Sequence, residues 1–387
     1  MGEGTRIMKI SVGRIAAVSA VALASAGSVS TGTAQSTAAK GAKIDNAYIC
    51  VFNPGLVAKS NVRAEAARSA NAAGGRVGFT YQNTIRGFSI NASAQGISRM
   101  QANNPRIAYC EQDQLMSIDA QGRGKKPGGG GGSPPPETDP WGVVRVGGGL
   151  TGITKTAWVI DTGIDYDHPD LNVDTSRAAS FTRESDGNDL NGHGTHVAGI
   201  IGAKRGNGIG VYGVAPGIKV VPVKVLTRNG SGSNSGVIAG IDYAADNFST
   251  GDVANMSLGG GFSQALNDAV VTAAGSGLKF AIAAGNESTD ANTRSPASAN
   301  GANIYTISSF AKGDKWSSFS NYGNPPIDYA EPGSSIYSTY KDGGYATLSG
   351  TSMASPHAAG LLLLGGISNG GPVSGDPDNN PDMIGIN

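Results

Sequence analysis

From Trp141 onward the chain alternates near-continuous apolar runs with stretches rich in alanine and glycine, and this alternation limits the folds open to it more than any other feature. TAWVID, IKVVPVKVL, VANMSL and KFAIAAGN have no polar face, so as strands each must be covered on both sides. The small-residue stretches from His193 to Gly202 and from Ser235 to Asn247 supply helices for that cover. The economical arrangement is a parallel sheet with helices on both faces, which gathers functional side chains at the carboxyl ends of the strands. Sixty glycines in 387 residues, about twice the ordinary share, suit tight turns and close packing between such layers.

Upstream, the texture is different. Arg6, Lys9 and Arg14 precede the apolar run from Ile15 to Ala26, which is short for a membrane span, so residues 1–34 read as a secretory signal region. Small residues fit cleavage after Ala26 or after Ala34; an uncleaved anchor is the alternative. Residues 44–120 read as a compact α+β unit: the strand AYICVF, a helix from Val62 to Ala73, the strands VGFTYQ and GFSINAS, a helix around Gly96 to Ala102, and the strand RIAYCEQDQLMSI. The order βαββαβ gives a ferredoxin-like antiparallel sheet of four strands with two helices on one face. Cys50 and Cys110 fall on its first and last strands, either as a disulfide formed after export or as two buried thiols. Residues 121–140, QGRGKKPGGGGGSPPPETDP, combine a flexible glycine run with extended prolines and read as a linker open to proteolysis at Arg123, Lys125 and Lys126. A phosphate loop is excluded, because no Gly-Lys-Ser/Thr follows the glycines. Residues 141–387 form the second domain.

Within that domain, Ser352 lies in GTSMASPHAAG, at the start of an apolar helix for which Thr351 can act as the N-cap. Pro356 cannot donate to the Ser352 carbonyl, so an irregular first turn is expected. A serine hydroxyl becomes a nucleophile only when a base takes its proton. His193, between Gly192 and Gly194 in NGHGTHVAG, can be that base, and Asp161 at the end of TAWVID can orient it. Asn286, at the end of KFAIAAGN, can join the Ser352 N–H as an oxyanion donor. His196 lies three residues beyond His193, but HGTH has neither the spacing nor the glutamate of a zinc protease, and it reads with His357 as a packed helix histidine. Singly, each of these residues has a structural explanation; together they make a nucleophilic site.

The motifs WVIDTGID, NGHGTHVAG, MSLGG, AAGNE and GTSMASPHAAG closely resemble those of the subtilisin-like serine proteases, over about Trp141 to Leu364. SPAS, from Ser295 to Ser298 with DAN just before it, looks more like the proteinase K branch than the bacterial subtilisins. The resemblance implies a secreted endopeptidase, extracellular or periplasmic, that hydrolyses peptide bonds through an acyl-enzyme. It implies Asp161, His193 and Ser352 as the triad and Asn286 as oxyanion donor. It also implies that Gly230, Ser231 and Gly232 on one side, and Ser257, Leu258 and Gly259 on the other, are edges that pair with an extended substrate. The α+β unit resembles the family's inhibitory propeptide, notably in GFSINAS and IAYCEQDQL, so the unit's own strand QLMSIDAQ is an expected occupant of that cleft and the chain an autoprocessed zymogen. No cofactor is needed for the chemistry. Relatives often carry structural calcium, and Asp186, Asn188 and Asp189 cluster suitably, although without EF-hand spacing. The tail after Leu364 is polar and turn-rich where the family adds further helix.

The 29 basic and 29 acidic residues balance, which suggests neither nucleic acid nor a stable association with an anionic membrane. The expected partners are polypeptide substrates and the chain's own propeptide, and the expected state is a monomer. A catalytically silent scaffold would require a missing triad residue, and none is missing. A non-peptidase acyl hydrolase would place the serine in a G-x-S-x-G elbow, which is absent here.

Overall fold

The computed structural model describes residue 1, residues 39–118 and residues 134–387. The expected signal region, its two candidate cleavage sites and residues 121–133 of the linker lie outside the described residues.

The first described part runs β1 (Lys43–Phe52), α1 (Val62–Ala73), β2 (Arg76–Tyr81), β3 (Gly87–Asn91), α2 (Ala94–Asn103) and β4 (Ile107–Ser117). Its strands lie in the order β2-β3-β1-β4 and pair antiparallel throughout. Helix α1 stops at Gly74, which takes the left-handed conformation at φ 67°, and α2 starts where the Ser93 hydroxyl accepts from Gly96 N at 3.1 Å. Both faces of the sheet are used. Cys50, Phe52, Phe88 and Ile90 pack under the two helices with Val62, Ala66, Ile97 and Met100, whereas Ile49, Val51 and Tyr81 join the core of the larger part. Neighbouring strands β1 and β4 set Cys50 opposite Cys110, and the two form a disulfide.

The larger part contains α3 (Trp141–Arg145), β5 (Thr156–Asp161), β6 (Ala179–Ser180), α4 (His193–Gly202), β7 (Lys219–Lys224), β8 (Ser231–Ser233), α5 (Asn234–Asn247), β9 (Val253–Met256), β10 (Gly260–Gly261), α6 (Gln264–Gly275) and β11 (Lys279–Ala283). It continues with β12 (Arg294–Ser295), β13 (Ile304–Ala311), β14 (Lys315–Trp316), β15 (Ile327–Pro332), β16 (Ile336–Tyr340), β17 (Gly344–Leu348), α7 (Thr351–Leu364), β18 (Ser368–Pro372) and β19 (Met383–Ile386). The central sheet has the order β18-β19-β15-β13-β11-β9-β5-β7-β6 and is parallel from β19 to β6. Alternate residues of one strand serve opposite layers. Trp158 and Ile160 of β5 pack with Val237, Ile241, Leu266 and Val270 of α5 and α6, while Ala157 and Val159 pack with Val197, Ile201, Ala358 and Leu362 of α4 and α7. That double burial is why these strands show no polar alternation.

Two expectations change in detail. Thr351 does not cap α7: Gly350 holds that position at φ 154°, and the Thr351 hydroxyl accepts from Gly285 N at 3.1 Å instead, because the loop after β11 lies against the helix start. The tail, for its part, is a hairpin. Strand β18 turns back antiparallel on β19, which adds parallel to β15, and Val373 and Ile384 bury against Phe310 and Ala330. No helix among the described residues is long and apolar enough to cross a membrane.

Candidate active site

Asp161 is the last residue of β5 and His193 the first of α4. Their side chains are fully buried, with Nδ1 at 2.8 Å from Asp161 Oδ1 and 3.0 Å from Oδ2. A carboxylate can only accept, so Nδ1 carries a proton, and in the neutral ring the lone pair is on Nε2. Nε2 is buried and bonds to no protein group among the described residues. The entry to α4 is built for this. Gly192 takes φ 112°, and a Cβ there would meet the Tyr340 ring at 2.3 Å, so no side chain fits. Asp189 braces the same turn: Oδ1 accepts from Asn191 N, Gly192 N and the Thr162 hydroxyl, each at 2.9 Å, and Oδ2 from the Thr195 amide at 3.0 Å and hydroxyl at 2.7 Å.

Ser352 is the second residue of α7 and its hydroxyl donates to the Ser257 carbonyl at 3.2 Å. Pro356 leaves the Ser352 carbonyl without its intrahelical donor, and the Ser257 hydroxyl fills the gap at 2.8 Å. The same oxygen accepts from Asn255 Nδ2 at 2.8 Å and lies 2.9 Å from the Ser355 hydroxyl, so the residue beneath the candidate nucleophile is fixed from three sides. Asn286 lies next to this helix start: its Oδ1 accepts from Thr351 N at 2.7 Å. An amide nitrogen can only donate, so this bond sets which way the side-chain amide is turned and keeps the Nδ2 edge on the side away from Thr351.

The two sequence-predicted edges flank an extended segment of the chain itself. Leu115, Met116 and Ser117 of β4 pair antiparallel with Ser233, Gly232 and Ser231. Ser117 and Gly259 exchange both amide bonds at 3.1 Å, and Ile118 N donates to Gly230 O at 3.0 Å. The Met116 side chain is fully buried, and a Cβ on Gly260 would come within 2.4 Å of its sulfur. Leu258 contributes its side chain to the core beneath, while Gly259 supplies the backbone edge.

Sequence reasoning missed the charged groups that hold the small unit on the large one. Asp113 accepts from Ser235 N at 3.1 Å and the Ser235 hydroxyl at 2.5 Å. Glu111 accepts from Gln264 N at 3.1 Å, Ala265 N at 3.3 Å and the Ser263 hydroxyl. Both carboxylates thus sit at the starts of α5 and α6, where helix N–H groups lack partners. Asp242 answers from α5, accepting from the amides of Gln82, Asn83 and Thr84 at 3.2, 2.7 and 2.8 Å. Lys40, just upstream of β1, reaches Glu287 at 2.6 Å. None of these pairs is local in sequence, so no motif could announce them.

The calcium candidates Asp186, Asn188 and Asp189 all accept hydrogen bonds from the protein. Asp189 spends both oxygens on five protein donors, Asp186 Oδ1 accepts from Asn188 N at 3.0 Å, and Asn188 Oδ1 from Tyr166 N at 3.2 Å. Among the described residues no three acidic, histidine or cysteine side chains converge as a metal site. His196 donates Nε2–H to Ile336 O and Ala346 O at 3.1 and 3.0 Å, and burial, with His193 nearby, depresses it to about 3. His357 bonds to Met353 O at 2.9 Å and burial depresses it to about 4, so both are neutral packing groups.

Residues 157–365 match the Subtilase family, Peptidase_S8. The chain belongs to the subtilase family. Among curated relatives, alkaline serine exoprotease A of Vibrio alginolyticus is 39% identical over 341 residues, 83% of this chain but only 60% of that protein. Subtilisin-like protease 7 of Arthroderma benhamiae is 37% identical over 91% of this chain and 90% of its own length. Proteinase R of Parengyodontium album is 35% identical over 74% of this chain and 72% of its own. A solved cold adapted subtilisin-like serine proteinase superposes with a TM-score of 0.52 at 43% identity, covering 58% of this chain and 83% of that one. This subtilase therefore shares the fold and the enzyme class of subtilisin-like serine proteases, the proteinase K branch among them.

Proposed function

We propose that this subtilase is a secreted serine endopeptidase made as an autoinhibited zymogen, with Ser352 as nucleophile, His193 as base, Asp161 as its orienting partner and Asn286 as oxyanion donor. The observation that carries the reading is the segment Leu115 to Ile118, paired as an extended strand between two edges, one of which ends at the Ser257 carbonyl bound by the Ser352 hydroxyl. A polypeptide substrate pairs with the same edges. Ser352 Oγ attacks the scissile carbonyl carbon while His193 Nε2 takes its proton; the oxyanion is held by Asn286 Nδ2 and the Ser352 N–H. The protonated imidazole then gives its proton to the leaving amine as the C–N bond breaks, and water repeats the sequence on the ester.

Residues 39–118 serve as the inhibitor. Residues 134–140 lie on the 206–212 loop, with Gly210 N donating to Pro135 O at 2.7 Å and Thr138 N to Gly210 O at 2.9 Å, which supports a maturation cut between Ile118 and Pro134. Even after that cut, the small unit stays docked through its own contacts.

Labelling by a serine-directed fluorophosphonate tests the reading. The parent should be labelled once the small unit is removed, and Ser352→Ala should not. The alanine variant should also accumulate uncleaved and lose kcat by the roughly 10⁶-fold measured for the equivalent change in subtilisin. Casein digestion at the parental rate by pure Ser352→Ala protein would overturn the assignment.

A further inference from the structure

Lys224 ends β7 as the register partner of Asp161 at the end of β5, and its side chain is wholly buried. A buried ammonium must be compensated, and the groups that compensate this one are informative. Nζ donates to Thr162 O at 2.5 Å and lies 2.9 Å from Glu184 Oε2. Thr162 is the residue through which the Asp161–His193 pair is held. Its amide donates to Asp161 Oδ1 at 2.6 Å, its hydroxyl accepts from Gly194 N in the first turn of α4 at 2.9 Å, and the same hydroxyl donates to Asp189 at 2.9 Å. The residues after Lys224 complete the fixation: Val225 N and Leu226 N both donate to the Asp161 carbonyl, at 2.9 and 3.1 Å.

Glu184 links this buried cation to the cleft. Its Oε1 accepts from Arg228 N at 3.0 Å and Nε at 3.1 Å, in the turn that leads to Gly230, the residue whose carbonyl receives the Ile118 amide. Burial opposes ionisation of Glu184, but Lys224, the Arg228 amide and the Arg228 guanidinium outweigh it and keep the carboxyl below its usual range. The charged groups in this bonded chain are thus Glu184 and, through it, Arg228, with Asp161 and Asp189 reached through Thr162.

We propose that Lys224 is a positioning residue for Asp161: held by Glu184, its ammonium fixes Thr162, and Thr162 fixes the carboxylate and the start of the histidine helix. Glu184 in turn couples that fixation to the substrate edge. The inference rests on reading Asp161 as the orienting group of His193, which Asp161→Asn tests separately.

Three predictions separate a positioning role from a merely structural one, measured on the matured enzyme by the pH dependence of kcat and KM. Lys224→Met should lower kcat about tenfold or more with KM changed less than threefold. Because the variant removes a positive charge from the strand position paired with Asp161, the acid limb of kcat/KM should move up by about half a pH unit. Glu184→Gln should raise KM, since the Arg228 turn loosens. The double variant Lys224→Met/Glu184→Gln leaves no unpaired buried charge and should keep the low kcat. Parental kcat and an unshifted profile in Lys224→Met overturn the proposal. If Lys224→Met does not fold, kcat and KM of Glu184→Gln both equal to the parent's do so. If these variants are parental while Asp161→Asn is inactive, the proposal alone fails; if Asp161→Asn is fully active, the triad reading fails first.

Discussion

The carbonyl of Ser352 would be orphaned by Pro356, and a hydroxyl 95 positions earlier in the chain supplies the missing donor. The gap was legible in the sequence, because proline has no N–H to give; what fills it was not, because Ser257 reaches the helix only through the stacking of β9 beside α7. Thr351 shows the converse. Its type and place suited an N-cap, but its hydroxyl is committed to Gly285 N and a glycine takes the cap. That commitment has a use, since it holds the β11 loop where Asn286 Oδ1 receives the Thr351 amide. Asn286→Ala should therefore lower kcat by the roughly 10² to 10³ measured for the equivalent donor of subtilisin, with KM nearly unchanged. A variant whose loss lies mainly in KM, by steady-state kinetics on a peptide substrate, would place Asn286 in substrate binding instead.

Among the elements, the βαββαβ unit was legible because each strand and helix of it is written in local periodicity and caps, and the structure matches the expected boundaries within a few residues. Its second buried face was not. Ile49, Val51 and Tyr81 read as ordinary alternation, and only the docked arrangement shows them meeting the α5 and α6 layer. The same surface explains Glu111 and Asp113, acidic residues in a strand that would be unremarkable alone. Each meets a helix start, where negative charge and free N–H groups attract, so replacing either by alanine should weaken inhibition by about 5- to 30-fold, corresponding to about 1–2 kcal/mol. The inhibition constant of residues 39–118 against mature enzyme measures this; constants equal to the parent's for both variants would remove the caps from the account of docking.

For the molecule as a whole, the parallel sheet and its helical layers were foreseeable from strands with no polar face, whereas the edge that closes it was not. MIGI is too short to declare itself, and it becomes a strand because β15 offers it a place. That closure carries a titration. Burial pushes Asp382, just before β19, up to about 7. A carboxyl raised in the folded state gives stability that is full below about pH 4, where the unfolded group is also protonated, and is lost as pH rises from there to about 7. Asp382→Asn should thus unfold at a temperature higher by about a few degrees at pH 8 and gain much less at pH 4; equal gains at both pH values would dissociate the effect from titration. His196 and His357 have the opposite sign: neutral when folded, they give stability that is full above about 6.5 and falls with acid at about 1.4 kcal/mol per pH unit each. The bridge between Cys50 and Cys110 bears on time rather than on equilibrium. It ties the first strand of the small unit to its last across 60 residues, so, on the proposed zymogen reading, a cleaved unit should resist digestion longer than its reduced form does. The expected readout is a lag between cleavage and the appearance of activity: a thiol reductant added to the cleaved complex should shorten that lag severalfold in a continuous assay, while a protease of residues 134–387, which contain no cysteine, should be unaffected.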